Sequence, residues 1–364
     1  MTYARARLWL GICGVGTIVG LATLALLFSW PTQIFSSWSP AFFSQALALG
    51  CIVAAYSLLH VPIDYIGGYW LPCYHSRQCL LFNIWAAQYL RATLSQALIL
   101  WSSAIAVLAA GRLAGRPGAL IAIASLMLLL IEGQDFLARF LAGLQREIRS
   151  GIQFFGGMDS GFSGGLAGLP GRERIILPSL WTRILPPAAV EVITTRRQAA
   201  LASRRRGLAL ALMFNLGGFL LSSYFPNAGV TNAAELFTTA LVFTLWSFLG
   251  LLVLPTLSRQ AVYEVDQSPR LRNIPANLFE TALREIDHLQ DDEPRRPNPI
   301  EAIFHPIPSV ERRLDHFRSP APAFGAWNSA RYALYLSWPC LGFLNRAVHC
   351  NAGRPELWVM LPID

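Results

Sequence analysis

The feature that most constrains this chain is a series of long apolar runs without charge. Residues 8–30 and 41–63 contain no Asp, Glu or Arg, and a helix of either length crosses roughly 30 Å of hydrocarbon. Of the 364 residues, 54% are apolar and only 14% are charged, which is too little charge to cover a soluble domain of this size. The sequence therefore predicts an integral membrane protein that is mainly α-helical.

Further apolar stretches extend the pattern to about six transmembrane helices, the others being 92–111, 118–138, 207–225 and 236–257. The predicted organisation is spans one to four within 1–138, a first polar block at 139–206, a hairpin of spans five and six at 207–257, a second polar block at 258–328 and a C-terminal region at 329–364. Because a hairpin separates the two polar blocks, both lie on one side of the membrane. We expect them to form one split α+β domain.

The basic residues define an orientation and exclude some chemistry. All 29 are Arg and the formal net charge is +8, so lysine Schiff bases and phosphate-loop lysines are excluded. Arginines cluster beside apolar spans, as Arg204–Arg206 do, rather than on an aromatic-laced face, which argues against nucleic acid. The bias predicts cytoplasmic N- and C-termini in a bacterial-type inner or plasma membrane, although Arg112 and Arg116 then fall outside.

The last apolar stretch leaves two structures open. Residues 329–349 are apolar at helical spacing but contain Arg331, Pro339 and Arg346. A seventh span is one interpretation, and an interfacial helix is the prediction that we favour. Six cysteines in a chain of this length do not indicate a disulfide scaffold.

Four segments, in this order, carry a resemblance to a known family. They are the run 62–72 with Asp64 and two glycines, the segment 168–177 (GLPGRERIIL), the segment 258–266 (SRQAVYEVD), and His305-Pro306 followed by Ser309–Arg313. Together they are similar to the type I CAAX prenyl endopeptidases and the related HtpX proteases, which are membrane zinc metalloproteases. The resemblance implies a helical membrane bundle, with a metalloprotease-like domain and a chamber for lipid or small molecules.

The resemblance also implies a metal site that this chain lacks. Reading without gaps from Leu177 places the family's His-Glu-x-x-His motif on Arg196-Arg197-Gln198-Ala199-Ala200, and its third ligand, a Glu, on Val262. Zinc needs two imidazoles at i and i+4 of a helix, and hydrolysis needs a carboxylate beside them. Arg196, Arg197, Ala200 and Val262 are therefore degenerate positions. We predict no cofactor and no catalytic residue.

Three other family positions are retained, namely Asp266, His305 and Arg313. Asp266 and Arg313 are suited to a charge-assisted hydrogen bond that closes the split domain, and His305 before Pro306 suits a loop brace. The glycine-rich segment Ser163, Gly164, Gly165, Leu166, Ala167 and Gly168 corresponds to the strand edge that binds extended substrate in active relatives. Addition of a peptide to an exposed edge needs no metal.

Two functions follow from these patterns. The first is an inactive metalloprotease-like scaffold in the lipid bilayer that binds a peptide or a membrane protein. The alternative is an active zinc endopeptidase with ligands drawn from His288, His305, His316 and nearby acids. Zinc content and chelator-sensitive cleavage distinguish the two.

Overall fold

Long apolar helices dominate the computed structural model. Four helices are long and apolar enough to cross a membrane among the residues searched: α1 (Tyr3–Leu27), α3 (Phe42–Tyr65) with its extension to Tyr74, α5 (Phe82–Glu132) and α9 (Ala233–Asp266). A short helix α2 (Trp30–Phe35) joins the first two, and a π-helical turn (Ile66–Trp70) leads from α3 into α4 (Leu71–Tyr74). The structure describes residues 1–77, 79–149, 152–157, 159, 161–268, 271, 273–290 and 292–360. The chain is a polytopic helical membrane protein.

The six predicted spans overlap these helices and α8 (Pro187–Ser222), but α8 is not among the four helices that meet the criteria for a membrane span. Spans three and four lie within α5, which is interrupted at Ala114 and Gly115, where Gly115 has a φ of 61°. The left-handed conformation is accessible to glycine at little cost, so the chain bends there and α5 consists of two helical segments. The predicted fourth span ended at residue 138, but α5 ends at Glu132 and α6 (Gln134–Ala142) follows.

A small sheet follows α6. Its strands are β1 (Gln145–Arg149), β2 (Ile152–Gly156), β3 (Gly165–Ala167) and β4 (Arg174–Pro178). Their order is β1-β2-β4-β3, in which β2 and β4 are parallel and the two outer pairs are antiparallel. The sheet packs beside α8, which begins after a short helix α7 (Trp181–Ile184).

The two polar blocks share one core. The second block contains α10 (Ala276–Leu289), α11 (Asn298–Phe304) and α12 (Val310–Arg318). Leu177 and Ile193 of the first block belong to the same buried cluster as Val265 and Leu283 of the second. The hairpin of α8 and α9 therefore brings the two halves of one α+β domain together.

The C-terminal region differs from the interfacial helix that the sequence predicted. It contains α13 (Ser329–Leu336), a 3-10 turn (Trp338–Cys340) and α14 (Glu356–Val359), and every residue of 326–348 is buried. An interfacial helix leaves its polar face in water, whereas Tyr335 donates to Leu130 O at 2.9 Å and Asn215 to Ala333 O at 3.0 Å. At about 1.5 Å per residue, α13 is also too short for a seventh span. The region 326–360, here called the inner segment, fills space between the long helices.

Candidate functional site

Helix α8 carries the predicted degenerate positions into the interior. It starts at Pro187, whose fixed φ suits the first helical turn, and Pro186 precedes it. Arg196, Arg197 and Ala200 are 1%, 0% and 0% exposed. Guanidinium groups are almost never buried to this extent without partners, so the contacts of these arginines define the site.

Arg196 belongs to a buried cluster of two arginines and one carboxylate. Its Nε donates to Asp266 Oδ1 at 2.5 Å, and Arg313 Nε donates to Asp266 Oδ2 at 2.8 Å. The side chains of all three are at most 3% exposed. The expected Asp266–Arg313 contact is thus present, and Arg196 joins it from the position where the resemblance placed the first zinc ligand. Asp266 links the end of α9 to α8 and α12.

Apolar side chains occupy two of the degenerate positions, Ala200 and Val262. Ala200 and Val262 lie in the same buried cluster, together with Ala261 and Trp327. The Trp327 ring centroid is 5.3 Å from Arg196 Cζ, and a guanidinium over an indole face is an attractive contact. Ala200 and Val262 are therefore surrounded by alkyl groups and one indole, with the guanidinium of Arg196 beside them.

Two more arginines of α8 hold the glycine-rich segment by its carbonyl groups. Arg197 donates through Nη1 to Ile176 O and through Nη2 to Ser163 O. Two turns further along, Arg204 Nη2 donates to Gly168 O at 2.7 Å. Carbonyl oxygens at both ends of β3 thus accept charge-assisted hydrogen bonds, and α8 fixes the strand from one side.

Two glycines of this segment are required by its path. Gly164 has a φ of 70°, and a Cβ there would lie 2.2 Å from Ile176 O. Gly168 has a φ of 90°, and its Cβ would lie 2.5 Å from Arg172 O. Positive φ disfavours L side chains and the contacts exclude a methyl group. The glycine density therefore reflects close packing rather than a mobile loop.

The free edge of β3 is covered, contrary to the expectation of an exposed peptide-binding edge. Residues 161–168 are all buried, and the Tyr332 hydroxyl of the inner segment donates to Leu166 O at 3.4 Å. Arg204 Nε in turn donates to that hydroxyl at 3.0 Å. The other end of the sheet is different, since Gln145 and Arg146 of β1 are exposed. Of the two edge strands, β1 is therefore accessible and β3 is covered.

The three histidines considered as substitute ligands, His288, His305 and His316, do not converge. His305 follows α11 and is 6% exposed, with its ring 5.0 Å from that of His349, and its carbonyl accepts from Arg259 Nη1 at 2.9 Å, which fits a loop brace. His316 stacks on Tyr263 with ring centroids 4.2 Å apart, and His288 contacts Asp292 at 3.1 Å. Within the described part of the chain, no group of three or more His, Cys, Asp or Glu side chains is placed to hold a metal ion.

This architecture matches a solved structure. Comparison with known structures finds the crystal structure of S. mikatae Ste24p at a TM-score of 0.65, with 13% sequence identity and 86% of each chain covered. The chain has the fold of Ste24p. Ste24p is a membrane zinc metalloprotease of the CAAX prenyl endopeptidase family, so the fold agrees with the family resemblance of the four segments. No profile of a known protein family matches the chain, and no curated protein matches it.

The Ste24p fold implies zinc, and the residues present can be tested against it. Zinc in proteins is held by imidazole nitrogen, thiolate sulfur or carboxylate oxygen. Arg196, Ala200 and Val262 carry none of these atoms, and the carboxylate closest to them in the site, Asp266, already accepts from two guanidinium groups. Buried positive charge also opposes a divalent cation. The donor set at these positions does not fit zinc.

A second buried charge cluster was missed by the sequence analysis. Arg346 of the inner segment donates through Nη2 to Asp64 Oδ2 and to the Tyr89 hydroxyl, the latter at 2.8 Å. Asp64 Oδ1 accepts from Gly353 N at 2.7 Å, and both charged residues are fully buried. The available signal was a carboxylate at the end of an apolar span together with an arginine inside another apolar stretch, since such residues usually pair.

Proposed function

We propose that this protein is a metalloprotease-like membrane protein without peptidase activity that acts as a scaffold for a peptide or a membrane-protein partner. The observation that carries the proposal is the buried cluster of Arg196, Asp266 and Arg313, in which Arg196 stands where the resemblance places the first zinc ligand. Binding and positioning remain available to such a fold, whereas activation of water needs a metal ion and a free base.

The accessible sheet edge suggests where an extended partner binds. Strand β1 pairs with β2 and stands at the end of the sheet, and its first residues are exposed. An edge strand offers backbone donors and acceptors to an added strand. Because the inner segment covers β3, we assign a peptide partner to β1 and not to the glycine-rich edge of the initial prediction.

The decisive experiment measures zinc and cleavage on the same sample. The full chain, purified in detergent without added metal, is analysed for zinc beside S. mikatae Ste24p prepared in the same way. We expect well below one equivalent of zinc and no chelator-sensitive cleavage of an unstructured reporter peptide. One full equivalent with cleavage that chelation abolishes would instead establish the active endopeptidase with non-standard ligands, and His305→Ala or His288→Ala would then identify its ligands.

A gain-of-metal variant tests the placement of the site. Arg196→His, Arg197→Glu, Ala200→His and Val262→Glu together supply the donors that the resemblance describes. We expect this variant to bind zinc while the unaltered chain does not. If the variant does not fold, the zinc content of the unaltered chain still decides between the two functions.

The orientation of the chain in the membrane is part of the proposal, because two features of the chain predict opposite sides for the loop after the second span. The arginine bias favours cytoplasmic termini in a bacterial-type inner or plasma membrane, but Cys73 and Cys79, in the loop after the second span, form a disulfide. Such bonds persist mainly in oxidising compartments. We expect a membrane-impermeant maleimide to label these cysteines, after reduction, only when vesicles expose their cytoplasmic face. Labelling from the opposite face would reverse the orientation.

A further inference from the structure

The outward face of α6 is apolar. Phe136 and Phe140 are 56% and 50% exposed, and their rings stack with centroids 5.9 Å apart. Backbone hydrogen bonds from Gly133 N to Leu129 O and from Leu137 N to Gly133 O continue the helical pattern across the break between α5 and α6. Leu129, which is 68% exposed, precedes Phe136 by two helical turns and therefore lies on the same face. The apolar surface of α5, which meets the criteria for a membrane span, thus continues along α6.

The acidic residues beside this face contact the protein instead. Glu132 accepts a hydrogen bond from Leu169 N at 3.0 Å and pairs with Arg174 at 3.4 Å. Asp135, which is 8% exposed, pairs with the same Arg174 at 3.2 Å. Arg139 is exposed near the end of α6, and a long arginine side chain can carry its charge away from an apolar surface into water. The outward face of α6 therefore presents its two aromatic rings rather than carboxylates.

Helix lengths place α6 at the boundary of the membrane. From the residue after Gly115 to its end at Glu132, α5 covers only about 25 Å. The hydrocarbon layer is roughly 30 Å thick, so about one turn of α6 is also needed to cross it. After the other end of α6, Gly143 packs against the guanidinium of Arg91, where a Cβ would clash. Arg91 directly precedes the predicted third span, 92–111, so α6 ends at the level where another span meets water.

Strand β1 begins close to this boundary. Gly143 and Leu144 alone separate Ala142, the last residue of α6, from Gln145, the first residue of β1. Three residue steps of even a fully extended chain cover at most about 11 Å. Strand β1 stands at the edge of the sheet, and Gln145 and Arg146 are exposed. A chain that adds to this edge as a further strand therefore lies beside the membrane surface.

We propose that α6 lies in the membrane interface and that β1 binds an extended segment that directly adjoins a transmembrane helix of another protein. Phe136 and Phe140 enter the boundary between headgroups and acyl chains, as the apolar side chains of interfacial helices do. Confinement to the membrane raises the effective concentration of such a segment at β1 above that of a free peptide. This inference rests on the proposed binding of a partner at the β1 edge, and it names the class of that partner.

Photocrosslinking tests the contact of α6 with lipid. Benzoylphenylalanine, a photoreactive analogue of phenylalanine, replaces Phe140 in the full chain, which is reconstituted in phosphatidylcholine vesicles and irradiated. The matched control carries the same analogue at Asn277, which is exposed at the end of α10 opposite to the contact of His288 with Arg77. We expect phosphatidylcholine adducts at position 140, measured by mass spectrometry, and at least tenfold fewer at position 277. Equal yields at the two positions, or no adduct at position 140, would overturn the placement of α6.

Two reporters test the class of partner at β1. Both contain the same extended sequence rich in threonine and valine, but one is a free peptide and the other directly follows a polyleucine transmembrane helix in the same vesicles. The full chain carries benzoylphenylalanine in place of Arg146, and the two reporters are supplied in equal amounts. We expect the anchored reporter to crosslink about tenfold more than the free peptide.

The outcomes separate this inference from the proposed function. Equal crosslinking of the two reporters would overturn the membrane-adjoining partner but would leave binding at the β1 edge intact. Crosslinking of neither reporter would overturn both this inference and the assignment of a partner to β1. The lipid adducts at position 140 are measured without a reporter, so they test the placement of α6 whichever result the reporters give.

Discussion

Two buried guanidinium–carboxylate clusters differ in their balance of charge. Between the long helices, one arginine, Arg346, meets one carboxylate, Asp64, and neither is exposed. In the α+β domain, two arginines, Arg196 and Arg313, share the single carboxylate of Asp266. Arg197 and Arg204 lie on the same helix as Arg196 and donate to backbone carbonyls.

The difference follows from what surrounds each cluster. Around Arg346 and Asp64, backbone carbonyls such as Gly67 O and Ala352 O accept from another buried arginine, Arg7, and Arg346 is matched by the Asp64 carboxylate. In the α+β domain, backbone carbonyls of β4 and of the glycine-rich segment accept from Arg197 and Arg204. The balanced pair of Arg346 and Asp64, here called the latch, joins the inner segment to α3, whereas the two arginines beside Asp266 oppose a divalent cation.

The largest expected effect is loss of the latch. Arg346→Gln leaves the Asp64 carboxylate without its guanidinium, and breaking a buried pair from one side costs about 3 to 5 kcal/mol in the free energy of unfolding. We expect the double variant Asp64→Asn with Arg346→Gln to be more stable than either single variant, as measured by thermal unfolding in detergent. The half-exposed pair Arg284–Glu280 is the control, and Arg284→Gln should change stability by less than about 1 kcal/mol. Equal effects at the two pairs would contradict the latch.

The second prediction concerns the unequal cluster. Asp266→Asn leaves two buried guanidinium groups facing each other, so we expect it to destabilise the protein by about 3 kcal/mol or more. Arg313→Met leaves the one-to-one pair of Arg196 and Asp266, so its effect should be clearly smaller. Denaturant unfolding monitored by tryptophan fluorescence gives this order. If Arg313→Met were the more damaging, the cluster would need both arginines for balance, and the comparison above would fail.

The carbonyl contacts of α8 can be tested at a glycine. Gly164→Ala places a methyl group against Ile176 O at a position of positive φ, which displaces the carbonyl that Arg197 binds. We expect a loss of about 2 to 3 kcal/mol. Gly171 also has a positive φ, 88°, but a Cβ there would meet no other atom. Gly171→Ala therefore measures the cost of the positive φ alone, and we expect a loss of only about 1 kcal/mol in the free energy of unfolding. If the two variants lost similar amounts of stability, Ile176 O would be able to move away from the added methyl group at little cost.

The smallest expected effect is a dependence on pH. Burial acts to raise the pKa of Asp159, but the Arg354 guanidinium, which donates to Asp159 Oδ1 at 2.6 Å, outweighs it and the pKa lies below its usual range. The pair therefore stabilises the inner segment above the ordinary carboxyl pKa of about 4. This contribution disappears as the pH falls through the lowered value. We expect Asp159→Asn to flatten the acid limb of the stability profile, and an unchanged limb would exclude this pair as its cause.

Much of the fold could be predicted from the sequence because its signals are local. Uncharged runs of helical length identify the spans through the cost of charge in hydrocarbon. The Asp266–Arg313 contact was anticipated because two charged residues stood at retained family positions. The covered edge of β3 could not be predicted, since the covering residue, Tyr332, is 166 positions from Leu166. The buried position of residues 329–349 could not be predicted for the same reason, because Arg346 in this stretch pairs with Asp64, which is 282 positions away.

Hydropathy alone determined that the chain spans a membrane. The side chains of Arg196, Arg197, Ala200 and Val262, the positions that the family resemblance singles out, determined that no zinc-binding atom stands there. Those conclusions depend on which atoms each residue carries, and no folding can change them. Only the tertiary structure decided what the arginines contact instead, and that the region 326–360 lies inside the protein. Buried charge needs partners, and partners distant in the sequence are brought together only by the packing of the whole chain.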